Sequence, residues 1–300
     1  MNNKNYREAV EYLSKALQLP EKPEKGLSLA AVYNLRGIAY TELGENDKAL
    51  EDFAIAIETY PDYVEVYNNR GRVYYNLGEY DKAVENYSRA IDQDKKHLRL
   101  EKKYHEALYN RGLAFFGKGE YEKAVEDFTN VIEDIAEVRS LESKQAEAYN
   151  FRGLAYSRVG QKEKAIEDFT RAFDLNPEFW DAYFNRGLMF FDDGEYEKAI
   201  EDFSQAIRLN PYSEETYFNR GNCYHMTGEY QNAIDDFSKS IGLNPRNADA
   251  FYSRGICYFH KLEYEKAILD LKKAVDLGDH QAKEALKRYF NIKYLALSLS

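Results

Sequence analysis

Seven arginines are the first residues in this sequence that could do chemistry. Each is followed by glycine, and six of them have an aspartate sixteen residues further along the chain. The pairs are Arg36/Asp52, Arg111/Asp127, Arg152/Asp168, Arg186/Asp202, Arg220/Asp236 and Arg254/Asp270, and the seventh arginine, Arg70, has Asn86 in place of the aspartate. Guanidinium groups in a row could bind anions, or each could form an ion pair that belongs to the scaffold. We favour the ion pairs, which predicts salt-bridge distances between the partners.

The remaining reactive side chains show no arrangement that is typical of an enzyme. Cys223 and Cys257 are 34 residues apart, a spacing that predicts equivalent sites on neighbouring helices, too far apart for a disulfide. We expect them to be small core residues. The five histidines show no metal-ligand spacing, and the sequence contains no nucleophile motif and no glycine-rich phosphate loop. These observations predict a protein without catalytic activity, cofactor or metal.

The Arg-Gly dipeptides also reveal the elements that position these side chains. Successive glycines are 34 residues apart, except that the steps on either side of Gly112 are 41 residues long. A period of 34 residues is typical of repeats built from two helices. Counting the arginine as position 7, seven units follow: 30–63, 64–97, 105–138, 146–179, 180–213, 214–247 and 248–281.

The unit 180–213 resembles the tetratricopeptide repeat (TPR) along its whole length. The matching residues are Gly187 at position 8, Phe190 at 11, Ala199 at 20, Phe203 at 24, Ala206 at 27 and Pro211 at 32. The resemblance implies an all-α fold, a right-handed superhelical solenoid of antiparallel helix pairs that holds other proteins. The glycine and the alanine are expected to let the two helices approach. A glycine also closes the turn between the helices, except that Leu262 replaces it in the last unit, where we predict a strained or differently shaped turn.

The 34-residue repeat pattern is interrupted at the ends of the chain and at two internal insertions. Residues 1–29 predict half a repeat, the second helix only, followed by a linker, and residues 282–300 predict a C-terminal capping helix. The insertions 98–104 and 139–145 follow the two units that carry Lys95 and Ala136 in place of the helix-ending proline. Without that proline the helices can run on, so we expect longer helices between residues 80 and 155, with a surface loop as the alternative.

Asparagine recurs at position 6, which in this family faces the concave groove of the solenoid. The residues are Asn69, Asn110, Asn185 and Asn219. An amide both donates and accepts hydrogen bonds, so these side chains could grip the backbone of a bound peptide. The alternative is an asparagine that is solvated or that bonds within its own helix.

Aromatic and acidic residues occupy neighbouring groove positions. The aromatic residues are Tyr75, Tyr109, Phe116, Phe184, Phe191, Phe218, Tyr252 and Phe259, and they could either anchor a partner or pack on the adjacent unit. Position 2 is acidic in six units: Glu65, Glu106, Glu147, Asp181, Glu215 and Asp249. Family members that bind chaperones clamp a C-terminal carboxylate with lysines, which these positions lack. The groove instead predicts a partner protein or peptide with basic and apolar side chains.

Composition narrows the class of partner. The net charge of −11 argues against nucleic acid, because phosphate binding needs clustered lysine and arginine. No apolar stretch is long enough for a membrane span, and only two cysteines occur, which favours a cytoplasmic protein. We therefore expect a non-catalytic protein–protein interaction scaffold. The alternatives are a structural scaffold that self-assembles as a homo-oligomer, and a regulatory subunit of an enzyme encoded elsewhere.

Overall fold

The computed structural model describes residues 3–18, 26–96, 105–136 and 138–290, and in these ranges it contains sixteen α-helices and no strand. The chain divides into two compact units, and Gln161 ends the first. The helices of the first unit are α1 (Asn3–Gln18), α2 (Leu27–Glu42), α3 (Asn46–Thr59), α4 (Val64–Asn76), α5 (Tyr80–Lys96), α6 (His105–Lys118), α7 (Tyr121–Ile135) and α8 (Glu142–Arg158). Those of the second unit are α9 (Lys162–Leu175), α10 (Trp180–Asp192), α11 (Tyr196–Leu209), α12 (Glu214–Met226), α13 (Tyr230–Leu243), α14 (Ala248–His260), α15 (Tyr264–Asp276) and α16 (His280–Phe290).

In both units each helix packs mainly on the helices that precede and follow it in the chain. We call the first helix of a repeat its A helix and the second its B helix; in the second unit α10, α12 and α14 are A helices, and α11, α13 and α15 are their B helices. The tightest contacts join the A and B helices of one repeat, such as α4 with α5 and α12 with α13. This tandem packing confirms the predicted all-α solenoid of helix pairs. No helix in the described ranges has the length and apolar character needed to cross a membrane.

In each helix pair that lies within one unit, a glycine on the A helix packs on a large side chain of the B helix, which is an aromatic ring except in α14 and α15, where it is Leu271. In α10 and α11 a Cβ added to Gly187 would lie 2.8 Å from Cε1 of Phe203, a separation that side chains essentially never show. Gly37 and Phe53 repeat this contact at 2.6 Å in the first unit. Both rings are fully buried. The glycine therefore does more than let the two helices approach, as predicted: the space it leaves is filled by the ring at position 24.

The turn at Leu262 has the same shape as the glycine turns. Its backbone φ is 62°, against 74° for Gly194, and in each case the turn residue donates its N–H to a carbonyl 2.9 Å away, on Phe259 and Phe191 respectively. A leucine with this φ places its Cβ too close to the backbone, at a cost of about 1–2 kcal/mol. The strain predicted for this turn is present, while the change of shape is not.

The predicted insertions and ends are described in part. Residues 97–104 lie outside the described ranges, and so do residues 19–25 of the predicted linker and residues 291–300 of the predicted capping helix. Within the second insertion, residues 139–141 form a short 3-10 turn and α8 begins at Glu142. Of the four helices that flank the insertions, α5 and α8 have 17 residues each, whereas α6 has 14 and α7 has 15, against 14 in α11.

Candidate functional site

Five of the arginine–aspartate pairs form two parallel hydrogen bonds within one repeat. Arg36 donates from Nε and Nη2 to the two carboxylate oxygens of Asp52, each at 2.7 Å. The same contacts, at 2.7–2.9 Å, join Arg111 with Asp127, Arg186 with Asp202, Arg220 with Asp236 and Arg254 with Asp270. The aspartates are buried and the arginines largely so. The ion pairs predicted from the sixteen-residue spacing are confirmed here, whereas Arg152 and Asp168 fall in different units.

A third hydrogen bond, not predicted from the sequence, ties the arginine to the preceding B helix. Nη1 of Arg220 donates to Oγ of Ser204 at 2.9 Å, and Nη1 of Arg111 donates to Oγ of Ser88 at 3.1 Å. Equivalent bonds reach Ser14, Thr129, Thr170 and Ser238 from Arg36, Arg152, Arg186 and Arg254. All of these hydroxyls stand at position 25, so a serine or threonine recurring at that position was the available signal.

The hydrogen bonds to aspartate also keep the arginine charged. Burial alone would lower the pKa of Arg220, but the hydrogen bonds and the charge of Asp236 raise it above its ordinary value. The arginine therefore stays charged, and its charge is neutralised inside the repeat. A bidentate pair of this kind leaves Nη1 to reach the neighbouring repeat, so one side chain connects three helices.

Arg70 departs from this arrangement at both of its partners. Its Nε donates to Oδ1 of Asn86 at 2.7 Å, and Nδ2 of Asn86 in turn donates to the Lys82 carbonyl at 2.8 Å. Ala54 occupies the position where the other B helices that precede one of these arginines supply a hydroxyl. Burial lowers the pKa of Arg70, and no bond to a carboxylate opposes that effect. We call Arg70, Asn86 and Ala54 the Arg70 slot.

Two of the four predicted position-6 asparagines bond to an asparagine of the previous A helix. Nδ2 of Asn69 donates to Oδ1 of Asn34, and Nδ2 of Asn110 donates to Oδ1 of Asn68, each at 3.0 Å. Asn34 and Asn68 stand at position 5, and sequence reasoning missed this pairing. The amides thus help to join neighbouring repeats, although each asparagine keeps a second N–H and a carbonyl oxygen.

The other two asparagines lie in the second unit. Nδ2 of Asn219 donates at 2.9 Å to the carbonyl of Glu215 in its own helix. The previous A helix offers Phe184 instead of an asparagine at position 5, so Asn219 has no amide to bond there. Asn185 is half-buried on α10.

The aromatic residues at position 5 are part of the core. Tyr109 and Phe184 retain only 9% of their exposed area, and their ring centroids lie 5.8 Å from those of Phe128 and Phe203. Phe218 is half-buried on α12 and makes the same kind of contact. These rings cover the position-24 side chain from the A-helix side. Most of the area of Tyr109 and Phe184 is thus used in packing.

The aromatic residues at position 12 are less buried. Tyr75, Phe116 and Phe191 each keep part of the ring exposed. Each packs against a tyrosine at position 17 of its own repeat: the partners are Tyr80, Tyr121 and Tyr196, with centroid distances of 5.5, 5.2 and 5.7 Å. Sequence reasoning missed the tyrosines, although their recurrence at position 17 was visible. The pairs present apolar surface next to the turn that joins the A and B helices.

Five of the six acidic residues of position 2 lie in the first turn of an A helix, whereas Glu147 lies inside α8, which begins at Glu142. Glu65 and Glu106 are exposed in the first unit, and Glu215 and Asp249 are exposed in the second. None of these four carboxylates forms an ion pair with a described residue. Negative charge in a first turn favours the helix. At these four A helices the first turn therefore presents a negative charge with no cation of the described residues paired to it.

The cysteines carry no reactive thiol. Cys223 and Cys257 are free and fully buried, as expected for small core residues. Burial raises the pKa of each thiol to about 12. The thiolate, which is the reactive form, is therefore scarce at neutral pH.

Sequence models of the tetratricopeptide repeat match much of this chain, and two of the matches, 64–97 and 214–247, coincide with repeats. Models described as "Tetratricopeptide repeat" match residues 64–97, 104–178, 151–214 and 214–247, and one described as "TPR repeat" matches residues 37–78. Together they span 37–97 and 104–247. Among curated proteins, none matches the chain.

Solved structures of other proteins share the fold. The chain is 27% identical to MamA, with 57% of this chain and 96% of that chain covered and a TM-score of 0.51. It is 26% identical to YrrB, which is described as "a TPR protein with an unusual peptide-binding site"; the coverage is 68% and 99%, and the TM-score is 0.55. A tetratricopeptide repeat protein from Parabacteroides merdae is 22% identical over 95% of this chain and 98% of its own, with a TM-score of 0.57, which shows the fold alone.

Proposed function

The chain belongs to the tetratricopeptide repeat family, and we propose that it is a non-catalytic scaffold whose A helices bind a segment of a partner protein. Positions 2, 5, 6 and 12 of a helix lie within about a third of a turn of one another, since each residue advances the helix by about 100°. We call the surface formed by these positions the A face. The proposal concerns the A face of each unit separately.

The observation that carries the proposal is the combination of unpaired carboxylates and partly exposed rings on this face. In the second unit Glu215 and Asp249 are exposed and form no ion pair with a described residue, while Phe191 and Phe218 keep part of their rings accessible. Aromatic side chains anchor interfaces at a low entropic cost, and unneutralised carboxylates attract cations. This chemistry suits a segment that alternates basic and apolar side chains.

The asparagines have a secondary role in the proposal. Because Asn69 and Asn110 already donate to the previous A helix, their remaining N–H and carbonyl groups are held in fixed directions. Fixed amides lose little entropy when they bond to a peptide backbone. The unusual peptide-binding site of YrrB belongs to that protein, and a comparable use of the A face here is part of what we propose.

Peptide display against the full chain tests the proposal. We expect selected peptides to be enriched in lysine or arginine together with apolar residues, and to bind at least tenfold more weakly to the variant Glu215→Lys/Asp249→Lys. The matched control is Glu197→Lys/Glu265→Lys, which reverses two exposed charges on B helices and should bind like the wild type. Enrichment of acidic peptides, or equal losses in both variants, would contradict the proposal.

A further inference from the structure

We propose that the Arg70 slot is a second binding site, in which the guanidinium of Arg70 receives the carboxylate of an aspartate or glutamate from a partner protein. The slot is not part of the A face. Position 7 is turned by about 140° from position 2 around the helix, towards the preceding and the partner B helices. The inference therefore goes beyond the proposed function, and it asks for a ligand of the opposite charge.

Two partners are missing at the same arginine. In every other repeat whose arginine and aspartate lie in the same unit, the arginine has two partners. One is the aspartate at position 23 of its own repeat, and the other is a hydroxyl at position 25 of the preceding B helix. Around Arg70 these become Asn86 and Ala54, which are 32 residues apart in the sequence. Each change alone would weaken the packing of the arginine. Together they remove every internal acceptor except one amide oxygen.

Most hydrogen-bond donors of Arg70 remain available. An arginine has five N–H groups, and Arg70 uses only Nε, towards Oδ1 of Asn86. The four N–H groups on Nη1 and Nη2 have no acceptor among the described residues. These two nitrogens form the end of the planar fork that matches the two oxygens of a carboxylate. The orientation of Asn86 is fixed by its bond to the Lys82 carbonyl, so its amide oxygen keeps the fork in place.

The Arg70 slot can be reached from solvent and remains cationic. Arg70 and Ala54 are both half-buried, so part of the slot meets solvent. The side chain of Arg70 packs over the ring of Tyr67, with its guanidinium carbon 5.9 Å from the ring centroid. Nearby on α5, Glu85 is bonded to Arg89 at 3.3 Å, so its charge is shared with a cation of its own. An external carboxylate would supply the neutralising charge that Asp127 gives to Arg111.

The test uses a variant that fills the slot from inside. Ala54→Ser/Asn86→Asp restores both partners found in the other repeats, and it should fold because those repeats already contain the same contacts. The probes are a capped Gly-Asp-Gly peptide, acetate and inorganic phosphate, titrated at constant ionic strength with chloride as the balancing anion. The readout is the Nε–Hε resonance of Arg70 in the full chain, assigned with Arg70→Lys.

We expect the capped peptide to shift this resonance saturably in the wild type and to bind at least tenfold more weakly to the filled variant. Acetate should bind more weakly than the peptide, which would identify a protein side chain as the source of the carboxylate. No saturable shift, an equal titration in the filled variant, equal affinity for acetate, or tighter binding of phosphate would each overturn the proposal. Loss of peptide binding on the A face would leave these outcomes unchanged, so the two proposals fail independently.

Discussion

The repeats that carry Arg70 and Arg111 are neighbours in the first unit, yet they use the same arginine differently. Arg111 bonds to Asp127 twice and to Ser88 once, and its charge is neutralised within the structure. Arg70 makes one bond, to a neutral amide. Since the helices around both arginines pack in the same order, the difference depends on two side chains and not on the fold. A repeated scaffold can thus contain a chemically distinct site without any change of backbone.

The largest expected effect is the difference in stability loss between removing the carboxylate partner of Arg111 and removing the amide partner of Arg70. Asp127→Ala should leave the buried part of Arg111 without its counter-charge and destabilise the protein by about 3–5 kcal/mol. Asn86→Ala removes two hydrogen bonds, the one from Arg70 and the one to the Lys82 carbonyl, but no counter-charge, and should cost about 2 kcal/mol. Urea unfolding followed by circular dichroism would measure both midpoints. Equal shifts for the two variants would mean that the arginines have equivalent surroundings, which would break the comparison.

The next effect concerns the ring that packs against the glycine following each arginine. An added Cβ at Gly71 would lie 2.6 Å from the ring of Tyr87, and one at Gly112 would lie 2.9 Å from the ring of Phe128. Alanine at either site should destabilise the fold by about 1–3 kcal/mol through overpacking, with the larger loss at Gly71. Gly242→Ala, where nothing lies within 4 Å, is the control and should not destabilise. Thermal melts that ranked Gly112 above Gly71 would contradict this.

The smallest expected effect is a gain in stability. Asn86→Asp should give Arg70 a counter-charge and stabilise the protein by about 1 kcal/mol, because the geometry for a bidentate pair already exists in the next repeat. The matched change Asn130→Asp, at an exposed site on α7, should stay within about 0.5 kcal/mol of the wild type. A loss of stability in Asn86→Asp would show that the slot cannot accept an internal carboxylate.

Within one repeat, the sequence was sufficient for the arginine–aspartate ion pair, although the packing of the position-17 tyrosine on the position-12 ring was missed. The spacing from Arg36 to Asp52 recurs unchanged, so it predicts an ion pair without any knowledge of how repeats stack. The left-handed turn at Leu262 was likewise visible, because the aligned residue of the other repeats is glycine.

Contacts between repeats were harder to predict. The partner of a position-6 asparagine depends on what the previous A helix presents: Asn110 meets Asn68, while Asn219 has Phe184 at that place and bonds to its own backbone. The hydroxyl that binds each arginine lies 16, 22 or 23 residues earlier, since insertions and the linker change the spacing. The exposed areas of the rings on the A face could not be predicted either, because they depend on packing.

Because the hydroxyl at position 25 bonds to the arginine of the following repeat, one partner of each arginine is supplied by the repeat before it. Ala54 belongs to the repeat 30–63, but the arginine that lacks a partner because of it is Arg70, in the repeat that follows. If repeats were shuffled, the aspartate would travel with its arginine, whereas the hydroxyl would be supplied by whichever repeat came before. A chain assembled from these modules would carry the open position to any repeat placed after 30–63. The order of the modules would then decide where half of the slot appears.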